Sequence, residues 1–367
     1  MTTNPQPMNR LLILVVSLCI ISSCRQTKTD DQQKEKPRYG SFRIKRGTNL
    51  GEWLSQNDRR GKARADMITR KDIAYIDSIG FDHVRLPIDE EQIWDVDGKR
   101  NEEDVALLQQ CVTWCDEFRL RVIIDLHILR SHHFNNKIKP LWTVPAEQDK
   151  FIALWKDLSK LLHTWPTGMM AYELMNEPVA DDPELWNRLI ARAVDSIRQW
   201  EPERVIVIGS NRWQSANTFD QLKVPKNDRN ILLSFHFYEP FFLTHYQASW
   251  TDLKDFKGDI NYPGQIVLHS KKTEHLRVYN RDTLLKMMQK PLHLADSLKL
   301  PLYCGEFGVY YRSPREAKLA WYRDMVSIFE EKGIAYANWN YKSDGFGIVD
   351  SLSIPDVPLV KILIGSK

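Results

Sequence analysis

The sequence lacks a large excess of charge of either sign. Its 367 residues include 51 lysines and arginines against 48 aspartates and glutamates, a formal net charge of +3. Dedicated nucleic-acid-binding proteins concentrate positive charge well beyond this balance, so the composition argues against a nucleic-acid partner. With 43% hydrophobic and 27% charged residues, the chain has the profile of a globular protein rather than a disordered one.

The sequence is also poor in cysteine and lacks several common functional motifs. Three of its five cysteines, Cys111, Cys115 and Cys304, lie beyond the N-terminal segment, and no Cys or His pair with zinc spacing accompanies them. We predict that these three are buried free thiols and that the chain holds no metal. No GxGxxG or GxxxxGK loop is present, which argues against a nucleotide-binding site. The absence of a GxSxG elbow argues against a serine esterase.

The N-terminal segment has the pattern of an export signal. An apolar run over residues 11–21 is about the length of a signal-peptide core and too short to span a bilayer. Two serines and Cys24 follow, which resembles the bacterial lipoprotein box. We therefore predict a signal over residues 1–24, a polar tether over 25–40 and one folded domain over 41–367. Cys24 would then anchor the protein to the outer or cell-surface membrane, and the alternative is a plain signal of a secreted or periplasmic protein.

Short apolar runs alternate with amphipathic stretches after residue 40. The runs have the length and composition of strands, and most are separated by apolar residues at helical spacing. Such alternation is typical of parallel βα units, and eight units predict an α/β protein with a single (β/α)8 TIM barrel. A doubly wound sheet is the alternative, but the phosphate-binding loop expected after an early strand is absent. The eight runs are residues 42–50, 81–88, 120–127, 169–177, 204–209, 230–238, 300–308 and 333–340.

Two connections between these runs are unusually long. Residues 239–281 are rich in aromatic and polar side chains without a clear helical period, and residues 128–146 form the second long connection. In a barrel, insertions that follow the strand ends lie on the active face. We therefore expect both connections to border the functional site.

Polar and ionisable residues stand at the ends of the predicted strands. Because the carboxyl ends of all eight barrel strands meet at one mouth, we expect these side chains to converge there. Glycine ends the fifth run and tryptophan the eighth. The residues are Asn49, Arg85, His127, Asn176, Glu177, Gly209, His236, Tyr238, Glu306 and Trp339.

Strand alternation predicts which of these side chains share a face. Residues two positions apart point to the same side of a regular strand. Asn176 and Glu177 are adjacent, so both can enter the mouth only if their strand ends or bulges there. The pairs predicted to share a side are Asp125 with His127, His236 with Tyr238, and Cys304 with Glu306.

Glu177 and Glu306 place two carboxyl groups at one mouth, and glycoside hydrolysis uses such a pair. One must keep a proton near neutral pH, which burial and a neighbouring negative charge favour. The other must stay ionised, and donors such as Arg85 and Tyr238 would hold it so. A single glutamate at a strand end is explained as well by a salt bridge to an arginine of the barrel, and only the pair points to chemistry.

Seven segments carry a resemblance to a known family. They are RGTNLGEW, HVRLPI, VIIDLH, LMNEP, SFHFYEP, CGEFGVY and NWNYKSDGFGI. Together they resemble the successive signatures of glycoside hydrolase family 5, the cellulase family, over nearly all of residues 42–350. NEP at the fourth strand and GEFG at the seventh are specific when found together in this order. The resemblance implies a retaining (β/α)8 hydrolase that needs neither a metal nor an organic cofactor.

The resemblance also implies a role for each matching position. Glu177 matches the general acid/base, Glu306 the nucleophile, and Asn176 the residue that hydrogen-bonds the sugar 2-hydroxyl. Every position carries the expected residue type, so nothing in the sequence indicates an inactive enzyme. The remaining matches are supporting or substrate-binding positions: Arg85, His127, His236, Tyr238 and Trp339, the last as the platform under the sugar at the cleavage point.

The 12 tryptophans are predicted to divide between core packing and sugar contact. Flat apolar sugar faces stack on aromatic rings, so tryptophans beyond strand ends could extend the platform of Trp339. Sugar contact and burial are equal alternatives for the tryptophans beyond strand ends, which are Trp53, Trp142, Trp213 and Trp250. For His132 and His133, the equal alternatives are a place at the rim of the site and simple exposure in a loop. Core or helix packing is expected of Trp114, Trp155, Trp186, Trp200 and Trp321.

The segment YEPFFLTHYQASW (238–250) resembles loops of family members that cleave β-1,4-glucans. The expected function is therefore an endo-β-1,4-glucanase acting on a polysaccharide or oligosaccharide. A mannanase, a xyloglucan-active enzyme or an exo-acting β-glucosidase stays open, because loops set the substrate in this family. A glycan-binding lipoprotein without activity is the rival class, but it would be marked by substitution of Glu177 or Glu306, and both are present.

Overall fold

Within the residues that the structure describes, eight parallel strands close into one barrel. The structure is a computed structural model, and it describes residue 1 and residues 39–269 and 274–365. The barrel strands follow one another around the ring in chain order, which confirms the predicted (β/α)8 barrel. They are β1 (Arg46–Asn49), β2 (His83–Asp89), β3 (Arg121–Ile128), β4 (Met170–Glu173), β5 (Val205–Gly209), β6 (Ile231–Phe237), β9 (Leu302–Phe307) and β10 (Ala335–Asn338).

Helices surround the barrel, and α6 begins at a clear start signal in the sequence. Asp182 caps α6 by accepting a hydrogen bond from the Glu184 N–H at 2.9 Å, and Pro183 is its first residue. The helices are α1 (Gly61–Ala65), α2 (Arg70–Ser78), α3 (Glu90–Ile93), α4 (Glu102–Glu117), α5 (Pro145–Leu162), α6 (Pro183–Trp200), α7 (Asn211–Gln214), α8 (Phe241–Thr244), α9 (Arg281–Met287), α10 (Gln289–Leu298), α11 (Arg315–Lys332) and α12 (Val357–Leu363).

The barrel interior is filled by side chains, so the barrel is not a channel. Phe42 and Ile44, which precede β1, pack against this layer at the end where the strands begin. The interior is therefore closed at one end, and a functional cleft can open only at the other. The layer consists of Ile123, Ala171, Val207, Leu232, Tyr303, Ala335 and Ala337.

The long connection over residues 239–281 contains an antiparallel strand pair that the sequence analysis did not predict. β7 (Gly264–His269) pairs with β8 (Glu274–Tyr279). The absence of a helical period in this segment has a physical reason, because paired strands repeat every two residues.

The structure describes the cysteines beyond the N-terminal segment, but it does not describe most of that segment. Cys111, Cys115 and Cys304 are free and buried, as predicted. None of the helices in residues 39–269 and 274–365 is both long enough and apolar enough to cross a membrane. The predicted signal, the lipid-attachment residue Cys24 and all but the last two residues of the tether lie outside the described residues.

Candidate active site

A cleft of about 1370 Å³ opens where the barrel strands end. Both predicted carboxylates and three of the predicted tryptophans line it, and Arg85 lies beneath them, fully buried. The structure thus brings most of the predicted residues together at one mouth. The predicted residues that line the cleft are His127, Asn176, Glu177, Trp213, His236, Tyr238, Trp250, Glu306 and Trp339.

Arg85 lies beneath the cleft and contacts several of its polar side chains. From β2 its Nε donates to Glu173 Oε2 at 2.7 Å, and its Nη1 donates to Glu306 Oε1 at 2.8 Å. Its Nη2 lies 3.0 Å from Asp125 Oδ2 and donates to Asn176 Oδ1 at 2.8 Å. One buried cation thus holds three carboxylates and an amide in fixed positions, because a planar guanidinium donates in several directions at once.

A β-bulge in β9 turns Glu306 into the cleft. In the pairing with β6, Cys304 lies opposite Phe235 and Glu306 lies opposite His236, so Gly305 is the extra residue. Cys304 packs in the core that includes the helices, whereas Glu306 lines the cleft. The prediction that Cys304 and Glu306 share a side is therefore wrong, because regular alternation stops at the bulge.

The bulge requires glycine at position 305. A Cβ atom on Gly305 would lie 2.9 Å from Ser234 Oγ and 3.3 Å from the His236 imidazole. A larger residue would displace the neighbours of Glu306. In the present arrangement, the Tyr238 hydroxyl donates a hydrogen bond of 2.9 Å to Glu306 Oε2. Glu306 is therefore held by donors on both carboxylate oxygens.

Glu177 reaches the cleft because its strand ends early. β4 stops at Glu173, and the following backbone leaves the ladder, so the adjacent Asn176 and Glu177 both line the cleft. This confirms the prediction that the strand ends or bulges at this point. Asp125 and His127, another pair predicted to share a side, meet directly, with His127 Nδ1 2.6 Å from Asp125 Oδ2.

Gln214 positions the segment that carries Glu177. Its Nε2 donates to Glu173 Oε1 at 2.8 Å and also contacts the carbonyl oxygens of Met175 and Asn176. Gln214 ends a turn in which Arg212, Trp213 and Gln214 itself all have positive φ, at 59°, 63° and 50°. Residues with a Cβ rarely adopt this conformation, and such strain concentrates at functional sites.

The two carboxylates are close enough for a double displacement. Single ligand atoms of Glu177, Glu306 and His236 all lie within 4.8 Å of one another. Retaining glycosidases place their carboxyl groups about 5–5.5 Å apart, whereas inverting enzymes leave about 6.5–9.5 Å for a water molecule. The same three groups are the set that could hold a metal ion within the described residues. The expectation that no metal is needed stays a prediction.

The surroundings of the two carboxyl groups favour a proton on Glu177 and ionisation of Glu306. Burial and the charge of Glu306 raise the pKa of Glu177 well above its usual range. Burial also raises the pKa of Glu306, but the adjacent Arg85 opposes that rise. Burial lowers the pKa of His236 well below its usual range, so this imidazole is neutral beside Glu177. Glu306 therefore loses its proton first, and Glu177 keeps one.

His127 links the carboxylate layer to the aromatic platform. Its ring stacks on Trp339 with 5.6 Å between centroids and an interplanar angle of 8°. Burial lowers the pKa of His127 to about 4, and burial raises the pKa of its partner Asp125 to about 7 against the opposing charge of Arg85. His127 is thus a neutral ring whose orientation is set by a carboxyl group on one side and the indole on the other.

For Trp53 and Trp142 the structure decides in favour of burial, so their prediction as platform residues is wrong. Trp53 is fully buried, and its indole N–H donates to the Arg64 carbonyl at 2.9 Å. Trp142 is buried as well, and its N–H donates to the Val179 carbonyl at 2.8 Å. Neither ring lines the cleft, so neither presents a face to a sugar.

The other loop residues divide between cleft and core. Trp213 is 43% exposed and Trp250 is 57% exposed, and both line the cleft. His133 lines it too, whereas His132 is buried and accepts a hydrogen bond from the Val179 N–H at 3.1 Å. The tryptophans expected in helix packing are buried or packed against the core: Trp114, Trp155, Trp186, Trp200 and Trp321.

Sequence reasoning missed several residues of the site, among them Glu173 and Gln214 beneath the carboxylates and Glu52 in the cleft wall. Alternation from Ala171, an interior residue, would have pointed Glu173 inward within the predicted fourth strand. Gln214 had no such signal, because its inward direction depends on the left-handed turn that precedes it.

Comparison with known proteins extends what the geometry indicates. The model of the family described as Cellulase (glycosyl hydrolase family 5) matches residues 47–345. Endoglucanase C of Acetivibrio thermocellus is 34% identical over 341 residues, which is 88% of this chain and 99% of that protein. Cellodextrinase A of Ruminococcus flavefaciens is 30% identical over 296 residues, covering 80% of this chain and 84% of the relative.

The fold is also similar to that of a solved structure. Thermotoga maritima Cel5A in complex with cellobiose superposes with a TM-score of 0.73 at 25% identity, over 88% of this chain and 97% of that one. The family match spans the strands that carry both carboxylates, and the barrel, the paired glutamates and their buried arginine fit the chemistry of that family. The chain is therefore a glycoside hydrolase and belongs to family 5, the cellulases.

Proposed function

We propose that this protein is a retaining endo-β-1,4-glucanase in which Glu306 is the nucleophile and Glu177 the general acid/base. The observation that carries the proposal is the pair itself, with carboxylate oxygens within 4.8 Å of each other at the mouth of the barrel. The relatives named endoglucanase support the choice of substrate and mode of cleavage. The cleft volume of about 1370 Å³ and the exposed Trp213 and Trp250 that line it support a polymeric substrate.

In the first step, a Glu306 oxygen attacks the anomeric carbon of the bound sugar. The bond from that carbon to the leaving oxygen breaks, and this oxygen takes the proton of Glu177. The products are an ester between the sugar and Glu306 and a free chain end. The raised pKa of Glu177 keeps that proton available, and the Arg85 and Tyr238 hydrogen bonds keep Glu306 ionised before attack.

In the second step, water replaces the departed chain. Glu177, now a carboxylate, takes a proton from the water, whose oxygen attacks the anomeric carbon from the side that the leaving group vacated. The ester bond breaks, and Glu306 returns to its ionised form. Two inversions at the same carbon give a product with the original β configuration. Asn176, fixed by Arg85, is positioned to hydrogen-bond the sugar 2-hydroxyl through both steps.

Product analysis on several polysaccharides tests this proposal. We expect carboxymethylcellulose to lose viscosity early, with few reducing ends released, because an endo-acting enzyme cuts within chains. NMR of freshly cleaved cello-oligosaccharides should show the β-anomer first. Preferred cleavage of mannan or xyloglucan would replace the glucanase by those enzymes. Release of single glucose units would indicate an exo-acting β-glucosidase, and binding without hydrolysis would overturn the catalytic assignment.

We also propose that Cys24 is lipidated and anchors the enzyme at the cell envelope. The apolar run over residues 11–21 and the two serines before Cys24 support an export signal of the lipoprotein type. The polar stretch 25–40 would separate the barrel from the membrane. Cells that express the full chain should incorporate labelled fatty acid into it, and Cys24→Ala should abolish labelling and release soluble protein. Unlabelled wild-type protein in the medium would instead indicate a plain secretory signal.

A further inference from the structure

The loop after β1 contains a glutamate in a conformation that favours glycine. Glu52 has a φ of 59°, in the left-handed region. A Cβ atom makes this region unfavourable, and residues held there concentrate at functional sites. The turn itself needs only the backbone, since the Glu52 carbonyl accepts a hydrogen bond from the Asn57 side chain. A glycine would form the same turn with less strain, so the side chain needs its own explanation.

The Glu52 side chain lies beside the aromatic platform. It lines the cleft. The preceding Gly51 packs so closely on Trp339 that a Cβ would lie 2.8 Å from the outer edge of the indole ring. Asn340, the residue after Trp339, points its Nδ2 at Glu52 Oε1 over 3.5 Å. The carboxylate therefore stands at the edge of the ring on which a sugar would stack.

The carboxyl group of Glu52 makes few contacts that would stabilise the fold. Among the described residues, no cation forms a salt bridge with it within 4.0 Å, and its contact with Asn340 is at the limit of hydrogen-bond length. Burial raises its pKa, and the charge of Arg59 opposes the rise. A partly buried carboxylate with unused acceptor capacity carries a desolvation cost that a hydroxylated ligand would offset.

We propose that Glu52 is a specificity-determining residue that accepts hydrogen bonds from hydroxyl groups of the sugar chain on the Trp339 side of the cleft. The inference rests on the proposed function, because it takes the ligand to be a neutral β-linked glucan. Trp339 offers an apolar ring and Glu52 an acceptor in the same cleft, which together match a sugar ring rimmed by hydroxyls. Glu52 takes no part in bond cleavage.

The test removes the side chain and its strain together. Glu52→Gly should raise KM for aryl β-glycosides of cellobiose and cellotriose about tenfold, the usual effect of losing a hydrogen bond to a charged group, with kcat within about threefold of wild type. The melting temperature should rise by about 2 °C, because a strained residue is replaced by glycine. Glu52→Gln, which keeps one acceptor oxygen, should give an intermediate KM.

Arg119 provides a matched control outside the cleft. It is exposed, has a φ of 59°, and lies in the turn after α4. Arg119→Gly should raise the melting temperature similarly and leave both kinetic constants unchanged. An unchanged KM for Glu52→Gly with a higher melting temperature would overturn the inference, and so would a lower melting temperature, which would assign Glu52 to the fold.

A binding measurement separates this inference from the proposed function. Calorimetry with cellotriose on Glu306→Gln and on the double variant with Glu52→Gly should show affinity about tenfold weaker in the double variant. This readout does not depend on turnover. If the wild type binds cellotriose without cleaving it, the proposed function fails and the difference in affinity still decides the role of Glu52. Equal affinities would overturn that role even if the wild type is fully active.

Discussion

Glu306→Gln is expected to reduce kcat on every substrate by about 10⁴-fold or more, the scale on which loss of a catalytic nucleophile acts. The amide oxygen cannot form the ester that the first step requires. Glutamine keeps the shape of the side chain, its amide oxygen can still accept from Arg85, and the Tyr238 hydroxyl can accept from its amide N–H, so the variant should fold and bind oligosaccharides. Initial rates and a melting curve on the same preparation check both expectations. Near-wild-type turnover would remove Glu306 from the mechanism.

Azide rescue then identifies the role of each carboxylate. In Glu306→Ala, azide can enter the vacated space and attack the anomeric carbon of a dinitrophenyl glycoside, whose leaving group departs as the phenolate. We expect an α-glycosyl azide, because a single displacement inverts the carbon. NMR of the product gives the configuration directly. A β-glycosyl azide from this variant would contradict the assignment of Glu306 as the nucleophile.

Glu177→Ala is the matched variant for that experiment. Activated substrates need no proton for departure, so the ester on Glu306 should form and azide should open it from the opposite face to give the β-glycosyl azide. The fall in wild-type activity at alkaline pH should disappear with these substrates, because that fall follows deprotonation of Glu177, whose pKa is raised by burial and by the charge of Glu306. An α-glycosyl azide from Glu177→Ala would reverse the two roles.

Arg85→Ala is expected to cause the largest loss of stability among single substitutions in the site. Its removal leaves Asp125, Glu173 and Glu306 buried without their shared cation. Breaking a buried ion pair by deleting one partner costs about 3–5 kcal/mol in the free energy of unfolding. The melting temperature should fall by about 8 °C, measured by calorimetry. Loss of less than about 1 kcal/mol would show that these carboxyl groups do not depend on Arg85.

The same substitution should also change the pH dependence of activity. Arg85 opposes the rise in the pKa of Glu306 that burial causes, so its removal raises that pKa further. More Glu306 is then protonated and inactive at a given pH, and the acidic limb of the kcat profile should move to higher pH. Arg85→Met, which removes the charge but keeps more of the side-chain volume, covers the case in which the alanine variant does not fold. An unmoved acidic limb in a folded variant would contradict this account.

Arg204 is the matched control for Arg85. It is equally buried but lies at the opposite end of the barrel, where it pairs with Glu201 at 2.6 Å and donates to the Met170 carbonyl. Arg204→Ala should lower the melting temperature without moving the pH profile, when both are measured well below the transition. A shifted profile in this variant would show that instability alone produces the effect assigned to Arg85.

Local sequence pattern was sufficient for the order of the elements and for the two carboxylates. Alternating apolar runs and helical periods predicted eight strands in the order that closes the barrel. Parallel strands bring their carboxyl ends to one mouth, so the strand-end positions of Glu177 and Glu306 implied their proximity before any coordinate. The two-residue period also predicted that Asp125 and His127 share a side, and the two side chains do meet.

Tertiary structure decided everything that depends on contacts between distant parts of the chain. The bulge at Gly305 separates Cys304 from Glu306, and it arises in the pairing of β9 with its two neighbours, β6 and β10. Trp53 and Trp142 stand at loop positions like those of Trp213 and Trp250, yet they are buried and donate to backbone carbonyls of other segments. A period within one segment determines the direction of a strand side chain, whereas the exposure of a loop side chain depends on which remote residues pack on it.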